Sequence, residues 1–192
     1  GYLTACPTNV GSGIRVSVML HLPGLALAPK ELKRVFRACR DARLAIRGYR
    51  GEGSQAVGAL YQFSNQTTLG RSETDLIDVL GAMVARVIDH ERRVRAALLD
   101  ERGPDIEERV RKAIGRLVGV EKVASNEALM LLSIVRLGVY LGLLEGPDIA
   151  TLNRLLVQIQ PAHLVARTGV ELDADKRDVA RAAMLKRVFA GG

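Results

Sequence analysis

Three arginines within the first fifty residues have the type and spacing needed to bind phosphate. Arg15 lies in a stretch that alternates apolar and polar residues, and Arg47 and Arg50 border a glycine-rich segment, residues 48–54. Guanidinium groups match the geometry of phosphate oxygens, and backbone N–H groups of glycine-rich loops add further donors. The three arginines are therefore candidates for a phosphate clamp. The alternative is that they are ordinary solvated charges at strand ends.

A carboxylate in the same region is a candidate for a catalytic role, and a thiol lies upstream of it. Glu52 lies in the glycine-rich segment, and a carboxylate there can orient a nucleophile and accept its proton. The thiolate of Cys6 would be stabilised by neighbouring cations. The alternatives are that Glu52 only pairs with Arg47 or Arg50, and that Cys6 is a small buried apolar residue, as we expect Cys39 to be.

A third group of charged residues lies near the end of the chain. Arg177 and Arg181 are four residues apart on a predicted helix that begins after Asp173, so they project from one face and can grip one phosphate. Asp178 lies roughly 100 degrees around that helix, where its carboxylate can accept hydrogen bonds from a guanidinium. The alternative is a solvated basic face.

Hydrophobic periodicity predicts the elements that position these residues. Alternation of apolar and polar residues predicts strands at residues 14–22, 44–46 and 57–63. Apolar residues at helical spacing predict helices at residues 29–42, 72–99, 105–117, 125–143, 148–158 and 173–189. We expect an α+β fold with an antiparallel sheet flanked by helices in residues 1–102, and an all-helical domain in residues 103–192, because Arg102-Gly103-Pro104 is a helix stop.

Composition narrows the possible functions. The chain of 192 residues has a net charge of +7, and only six of its 28 basic residues are Lys. This charge suits an anionic ligand. Aromatic residues make up only 4 % of the chain and Trp is absent, which argues against binding to single-stranded nucleic acid by base stacking.

Neither a metal site nor a membrane location is predicted. The two cysteines and three histidines lack metal-ligand spacing, and the cysteine usage favours a reducing, cytoplasmic setting. The apolar segment 128–144 contains Arg136 and is shorter than the roughly 20 residues of a membrane span, so we expect a buried helix. Because its apolar residues lie on nearly all sides, we also expect a homodimer through this segment. Gly1 begins no signal peptide, and we expect the chain to start within a longer protein.

Several short motifs together resemble the ATP:guanido phosphotransferases, the family of creatine and arginine kinases. They are Cys6-Pro7-Thr8-Asn9, Gly11, Gly13, Arg15, Ser17, Val18, Arg47-Gly48-Tyr49-Arg50-Gly51-Glu52, Phe63-Ser64-Asn65 and Leu69-Gly70. Three later motifs, Val135-Arg136-Leu137-Gly138, Gln160-Pro161 and Arg177-Asp178-Val179-Ala180-Arg181-Ala182, narrow the resemblance to the bacterial protein arginine kinases.

This resemblance implies a guanido-kinase catalytic domain, here its C-terminal half, followed by a helical regulatory domain. It implies ATP with Mg²⁺ as the phosphoryl donor, protein arginine as the acceptor, and a Clp-type chaperone and protease system that recognises the product. The implied nucleotide-binding residues are Arg15, Val16, Ser17, Val18, Met19, Arg47, Arg50 and Glu52. Glu52 and Cys6 are implied catalytic residues, and Arg177, Asp178 and Arg181 an allosteric phosphoarginine site.

Two questions stay open at this point. Relatives often carry Glu at the position of Gln55, so either Glu52 is the remaining base or the loop has lost its base. A second carboxylate is expected upstream of Gly1, so we expect this chain alone to show negligible activity. The alternative functions are a non-catalytic phosphoarginine-binding module and a kinase of a small guanidino compound.

Overall fold

The computed structural model describes residues 10–50 and 56–190, so Cys6, Glu52 and Gln55 lie outside the described residues. The chain divides into two compact units, Gly1–Arg95 and Ala96–Gly192. The first unit contains a sheet with helices, whereas every described element of the second unit is helical. The predicted α+β class is therefore confirmed. The domain division predicted between residues 102 and 103 stays a prediction.

The sheet has three antiparallel strands, with β3 between the other two. The strands are β1 (Ser17–His21), β2 (Leu44–Gly48) and β3 (Leu60–Asn65), in the order β1-β3-β2. β3 begins later than predicted because Gly58 and Ala59 have φ angles of 65° and 54°, which extended backbone does not allow. Residues 57–59 form a 3-10 turn instead. The first strand is also shorter than predicted, since residues 14–16 precede it.

One face of the sheet is covered by helices of the first unit. These are α1 (Pro23–Leu27), which was not predicted, α2 (Pro29–Asp41) and the first half of α3 (Glu73–Gly119). Alternate residues of the strands form an apolar cluster with these helices: Leu20, Leu22, Leu25, Val35, Cys39, Leu44, Tyr61, Phe63, Leu80 and Val87. The Cys39 side chain is fully buried, and burial raises the pKa of its thiol to about 11. Cys39 is therefore the buried apolar residue that we expected.

A buried carboxylate ties α1 to α3. The Glu91 side chain accepts hydrogen bonds from the backbone N–H groups of Gly24 and Leu25, both at 2.8 Å. The first N–H groups of a helix have no acceptor within the helix, so Glu91 supplies the acceptors that α1 lacks. Burial raises the pKa of Glu91, while these two donors and the Arg95 guanidinium, 3.3 Å away, act in the opposite direction.

The predicted helix stop at Arg102-Gly103-Pro104 coincides with a kink in α3. Two helical stretches meet at Arg102, which has φ −140° and ψ 27° and so leaves the helical region, and the second stretch continues to Gly119. Pro104 lies two residues after Arg102, in the first turn of the second stretch. A proline is tolerated there because the N–H that it lacks would have no helical acceptor.

The second unit contains the rest of α3 and four further helices. They are α4 (Ser125–Tyr140), α5 (Ile149–Gln158), α6 (Pro161–Thr168), which was not predicted, and α7 (Ala174–Phe189). Asp148 and Asp173 cap α5 and α7 by accepting from the N–H groups of Thr151 and Lys176. These bonds lower the pKa of both carboxyl groups. None of the described helices is both long and apolar enough to cross a membrane.

Close packing within the second unit covers much of the apolar surface of α4. A Cβ atom added to Gly138 would lie 2.8 Å from a methyl group of Val110, so a larger residue would force α3 and α4 apart. Leu129, Leu132 and Val135 are almost fully buried, as predicted for this segment. The homodimer predicted through it stays a prediction.

Substituting Glu91→Gln should lower the free energy of unfolding by about 1–3 kcal/mol, because the amide can accept only one of the two backbone N–H bonds and leaves a buried donor unsatisfied. The rate of hydrogen exchange at the Gly24 and Leu25 amides should rise by the factor that corresponds to this loss of free energy. The matched control is Asp89→Asn on the same helix, an exposed residue 3.8 Å from Arg92, for which we expect a change below about 0.5 kcal/mol. Equal effects of both variants would contradict the role of Glu91.

Candidate functional site

The face of the sheet opposite the apolar cluster carries polar side chains from all three strands. The antiparallel register places Ser17 opposite Ser64 and Arg47 opposite Gln62. Cross-strand partners project from the same face, so these four side chains share one surface. Gln62 Nε2 donates to Ser17 Oγ over 3.2 Å and links β1 to β3 there.

A cleft of about 440 Å³ includes part of this polar face. It is lined by Gly13, Ile14, Arg15, Ala45, Arg47, Ser64, Asn65, Gln66, Thr67 and Thr68. Its described lining residues include two arginines and no carboxylate. Among the described residues, neither Arg15 nor Arg47 forms an ion pair. The cleft is therefore positively charged and has the chemistry of an anion site.

The Arg15 side chain is held by a neutral partner. Its Nη2 donates to Ser64 Oγ over 3.2 Å, and Ser64 is almost fully buried at 1 % exposure. A hydroxyl orients the guanidinium without neutralising it, so the full positive charge of Arg15 faces the cleft. The short Ser64 side chain on the central strand thus fixes the direction of an arginine that comes from a neighbouring segment.

Asn65 holds the backbone on both sides of Arg15. Its Oδ1 accepts from the Val16 N–H over 2.8 Å, and its Nδ2 donates to the Ile14 carbonyl over 3.0 Å. The Asn65 side chain thereby supplies hydrogen bonds to residues 14 and 16, which precede β1, where a neighbouring backbone would otherwise supply them. Sequence reasoning assigned no role to Ser64 or Asn65. In the sequence, the only indication of these roles was that a serine and an asparagine directly follow a predicted strand.

A glycine and a threonine fix the segment that precedes Arg15. Gly11 has φ 102°, and a Cβ atom at this position would lie 2.6 Å from the Thr68 carbonyl oxygen. Only glycine allows both this backbone angle and this close approach. The Thr68 Oγ1 donates to the Val10 carbonyl over 2.6 Å. Residues 10–16 are therefore held along one side of the cleft.

The predicted nucleotide-binding residues do not all lie in one place. Arg15, just before β1, and Ser17 and Met19 within it alternate along one exposed side, whereas Val16 and Val18 pack against the apolar cluster. The structure brings Arg15 and Arg47 together in the cleft. Met19 is 45 % exposed on the same face.

Arg50 is exposed but does not line the cleft. It has φ 56°, and its guanidinium lies 5.6 Å from the centre of the Tyr49 ring. This distance is typical of a cation–π contact. Hydrogen bonds from the Tyr49 N–H to the Leu60 carbonyl and from the Val57 N–H to the Tyr49 carbonyl close the base of the loop that Arg50 begins.

In the second unit, Arg181 is a buried structural arginine. It is 1 % exposed, its Nε donates to the Ile159 carbonyl over 2.9 Å, and its Nη1 donates to the Val123 carbonyl over 2.6 Å. Nη1 also donates to Asp178 Oδ1 over 2.5 Å. In this arrangement Arg181 ties α7 to the end of α5 and to the segment before α4, and it does not face solvent beside Arg177.

Arg177 and Asp178 are more accessible than Arg181. Arg177 is half-buried, and its Nη1 donates to the Leu172 carbonyl over 3.0 Å. The Asp178 side chain is 31 % exposed while it accepts from Arg181. The three predicted residues are therefore neighbours, but Arg177 and Arg181 do not project from one exposed surface. The binding of one phosphate by Arg177 and Arg181 together stays a prediction. In the described part of the chain, no three His, Cys, Asp or Glu side chains lie close enough to hold a metal ion.

Known proteins similar to this chain share both of its parts. A family profile described as ATP:guanido phosphotransferase, C-terminal catalytic domain, matches residues 1–94. A second, described as protein-arginine kinase McsB C-terminal domain, matches residues 104–191. The cleft and all the residues that line it fall within the first match.

Curated relatives agree with these matches. A protein-arginine kinase of Moorella thermoacetica is 47 % identical over 191 residues, which cover 100 % of this chain and 54 % of the relative. Those of Bacillus pumilus and Symbiobacterium thermophilum are 44 % and 47 % identical over 97 % of this chain, and 51 % and 52 % of their own lengths are covered. The chain thus spans about half the length of the curated relatives it matches. The predicted resemblance is confirmed, and the chain belongs to the ATP:guanido phosphotransferase family, where it corresponds to the C-terminal part of the protein-arginine kinases.

Proposed function

We propose that this chain forms the ATP-binding, C-terminal part of a kinase that phosphorylates arginine residues in proteins. One observation carries the proposal for this chain: two arginines that form no ion pair with a described residue, Arg15 and Arg47, line one cleft on the open face of the sheet. Phosphate oxygens of ATP fit this lining because they carry the compensating charge. The family match and the protein-arginine kinase relatives support the same substrate.

The reaction requires the cleft to stabilise negative charge. The bond between the γ-phosphorus of ATP and its bridging oxygen breaks, a bond from phosphorus to a guanidinium nitrogen forms, and ADP leaves with the electron pair. MgATP supplies the phosphoryl group, and the metal ion neutralises part of its charge. Arg15 and Arg47 bind the phosphates, and Ser64 and Asn65 keep Arg15 in position. Their alignment before the reaction lowers the barrier because no reorganisation is needed during transfer.

A base must take the proton that the substrate guanidinium loses. We propose Glu52 for this role and Cys6 as a contact to the substrate guanidinium; both lie outside the described residues. The described structure supports the place of Glu52 only indirectly. Arg47 ends one strand at the cleft, and the loop that contains Glu52 begins three residues later. Arg50, at the start of this loop, is proposed to reach the phosphates when ATP is bound.

The wider role is also a proposal. The name of the relatives supports protein substrates. A cytoplasmic reaction and recognition of phosphoarginine by a Clp-type chaperone and protease are proposed from the family resemblance alone. A homodimer through residues 128–144 would have to use the side chains that α4 leaves exposed, such as Met130 and Tyr140 at 49 % and 40 % exposure.

Arg15→Ala and Arg47→Ala, each in a full-length protein that contains this chain, should reduce kcat/KM for ATP. Each variant removes a charge-assisted contact worth about 1.5–3 kcal/mol, which corresponds to roughly a 10- to 150-fold loss. The matched control is Arg37→Ala, an exposed arginine of α2 on the covered side of the sheet, which should leave ATP kinetics unchanged. Wild-type ATP kinetics in both cleft variants would refute the phosphate-binding role. Arg50→Ala measures separately how much the loop contributes to kcat/KM for ATP.

Asn65→Ala should reduce kcat/KM for ATP through Arg15 alone, because Asn65 positions the backbone of residues 14–16 and needs no contact with ATP. In an Arg15→Ala background, the same substitution should then have little further effect. This double-mutant cycle isolates the coupling between the two residues. Independent, additive losses would show that Asn65 does not act through Arg15.

Phosphoarginine binding in the second unit is a separate proposal. We propose that Arg177 contacts the phosphoryl group and Asp178 the guanidinium of the ligand, while Arg181 positions Asp178 from its buried place. Calorimetry with free phosphoarginine should show binding that Arg177→Ala and Asp178→Asn abolish. Lys176→Ala, an exposed neighbour on the same helix, should leave it intact. Absence of binding by the folded wild-type chain would end this proposal.

A further inference from the structure

A second basic cleft lies in the second unit, between three helices. It has a volume of about 260 Å³, and its lining includes Thr151, Arg154, Gln158, Arg167, Met184 and Arg187. Each arginine comes from a different helix: Arg154 from α5, Arg167 from α6 and Arg187 from α7. The packing of these three helices therefore brings together cations that are far apart in the sequence.

Two of these arginines, Arg154 and Arg167, are held by neutral partners among the described residues. The Arg154 Nη2 donates to Thr151 Oγ1 over 2.8 Å, and the Arg167 Nη1 lies 3.9 Å from the Met184 sulfur. A hydroxyl and a thioether hold a guanidinium in place without neutralising its charge. In the described part of the chain, no carboxylate lines the cleft and none of the three arginines forms an ion pair.

This lack of neutralisation distinguishes the cleft from other basic positions in the same unit. Several cations of this unit lie beside a carboxylate: Arg111 and Lys112 beside Glu108, Arg116 beside Glu127, Lys122 beside Asp175, Lys176 beside Asp173, and Arg181 beside Asp178. The Asp148 carboxylate, which caps α5, does not line the cleft. Hydrogen bonds from Thr151 lower the pKa of Asp148, and the charge of Arg154 adds to this lowering. Three mutually repelling cations in one cleft leave a local excess of positive charge, which a bound anion would offset.

We propose that this cleft is a binding site for a phosphoryl group. One arginine is enough to bind a carboxylate in a bidentate manner, whereas three arginines in the lining of one cleft suit a dianion with several acceptor oxygens. Pockets for drug-sized ligands measure about 300–1,000 Å³, so this smaller cleft takes a phosphoryl group and not a whole nucleotide. Thr151 and Gln158 add neutral hydrogen-bonding groups at its wall.

The cleft is distinct from the group formed by Arg177, Asp178 and Arg181. None of these three residues lines it. The Arg181 guanidinium is directed instead toward the carbonyls of Val123 and Ile159. A phosphoryl group in the cleft would connect α5, α6 and α7, so its binding should stabilise the second unit whether or not the proposed kinase activity is correct.

The chain is titrated at constant ionic strength with three probes: inorganic phosphate, pyrophosphate and a phosphoserine peptide. Calorimetry measures the binding of each probe, and thermal unfolding measures its effect on stability. We expect saturable binding and a rise in Tm. Arg187→Gln and Arg154→Gln should each weaken binding at least about tenfold, since each removes a charge-assisted contact. Arg167→Lys, which keeps the charge but not the planar fork, should weaken it less than Arg167→Gln. Binding of pyrophosphate alone would identify a free polyanion as the ligand, and preference for the peptide a phosphorylated side chain.

The matched control is Lys186→Gln, which removes an exposed cation next to Arg187 that does not line the cleft. It should leave binding unchanged, as should Arg177→Ala. Circular dichroism confirms that each variant is folded. The proposal is overturned if no probe binds saturably, if acetate binds as well as phosphate, or if Lys186→Gln weakens binding as much as Arg187→Gln.

Discussion

The antiparallel pairing of β3 with both neighbouring strands is the constraint on which the first unit depends. Pairing in this register places Leu20, Tyr61 and Phe63 on one side and the polar residues of all three strands on the other. Burial of the apolar side fixes the register, because a slip of one residue would exchange the two faces. The same constraint therefore builds the core and brings Arg47 to the face that Arg15 approaches.

Uncompensated arginines are the common feature of the two basic clefts. In both, a guanidinium is held by a neutral group, Ser64 for Arg15 and Thr151 for Arg154. A carboxylate partner would hold an arginine as firmly, but it would cancel the charge that an anion needs. Neutral partners fix the direction of the side chain and leave its charge available. Repulsion between the arginines of a cleft raises its free energy, and a bound anion would offset this repulsion. For this reason we expect anions to bind in both clefts.

Buried charged residues have a different role in this protein. Glu91 in the first unit and Arg181 in the second are almost fully buried; Glu91 accepts from two adjacent backbone N–H groups of α1, and Arg181 donates to backbone carbonyls of two separate segments. A buried charge requires several hydrogen bonds, so such a residue joins only those segments whose backbone groups reach it. The two residues therefore specify how α1, α5 and the segment before α4 are attached.

The sequence by itself determined the α+β class, the family, most helices and the cap at Asp173, because periodicity and capping depend on neighbours within a few residues. It also marked Arg15 and Arg47 as phosphate ligands, through their type and a resemblance. It did not show the roles of Ser64 and Asn65, the burial of Arg181, or the meeting of Arg154, Arg167 and Arg187. Only the tertiary structure decided these, because which side of a helix or strand is covered depends on the packing of elements that are distant in the chain.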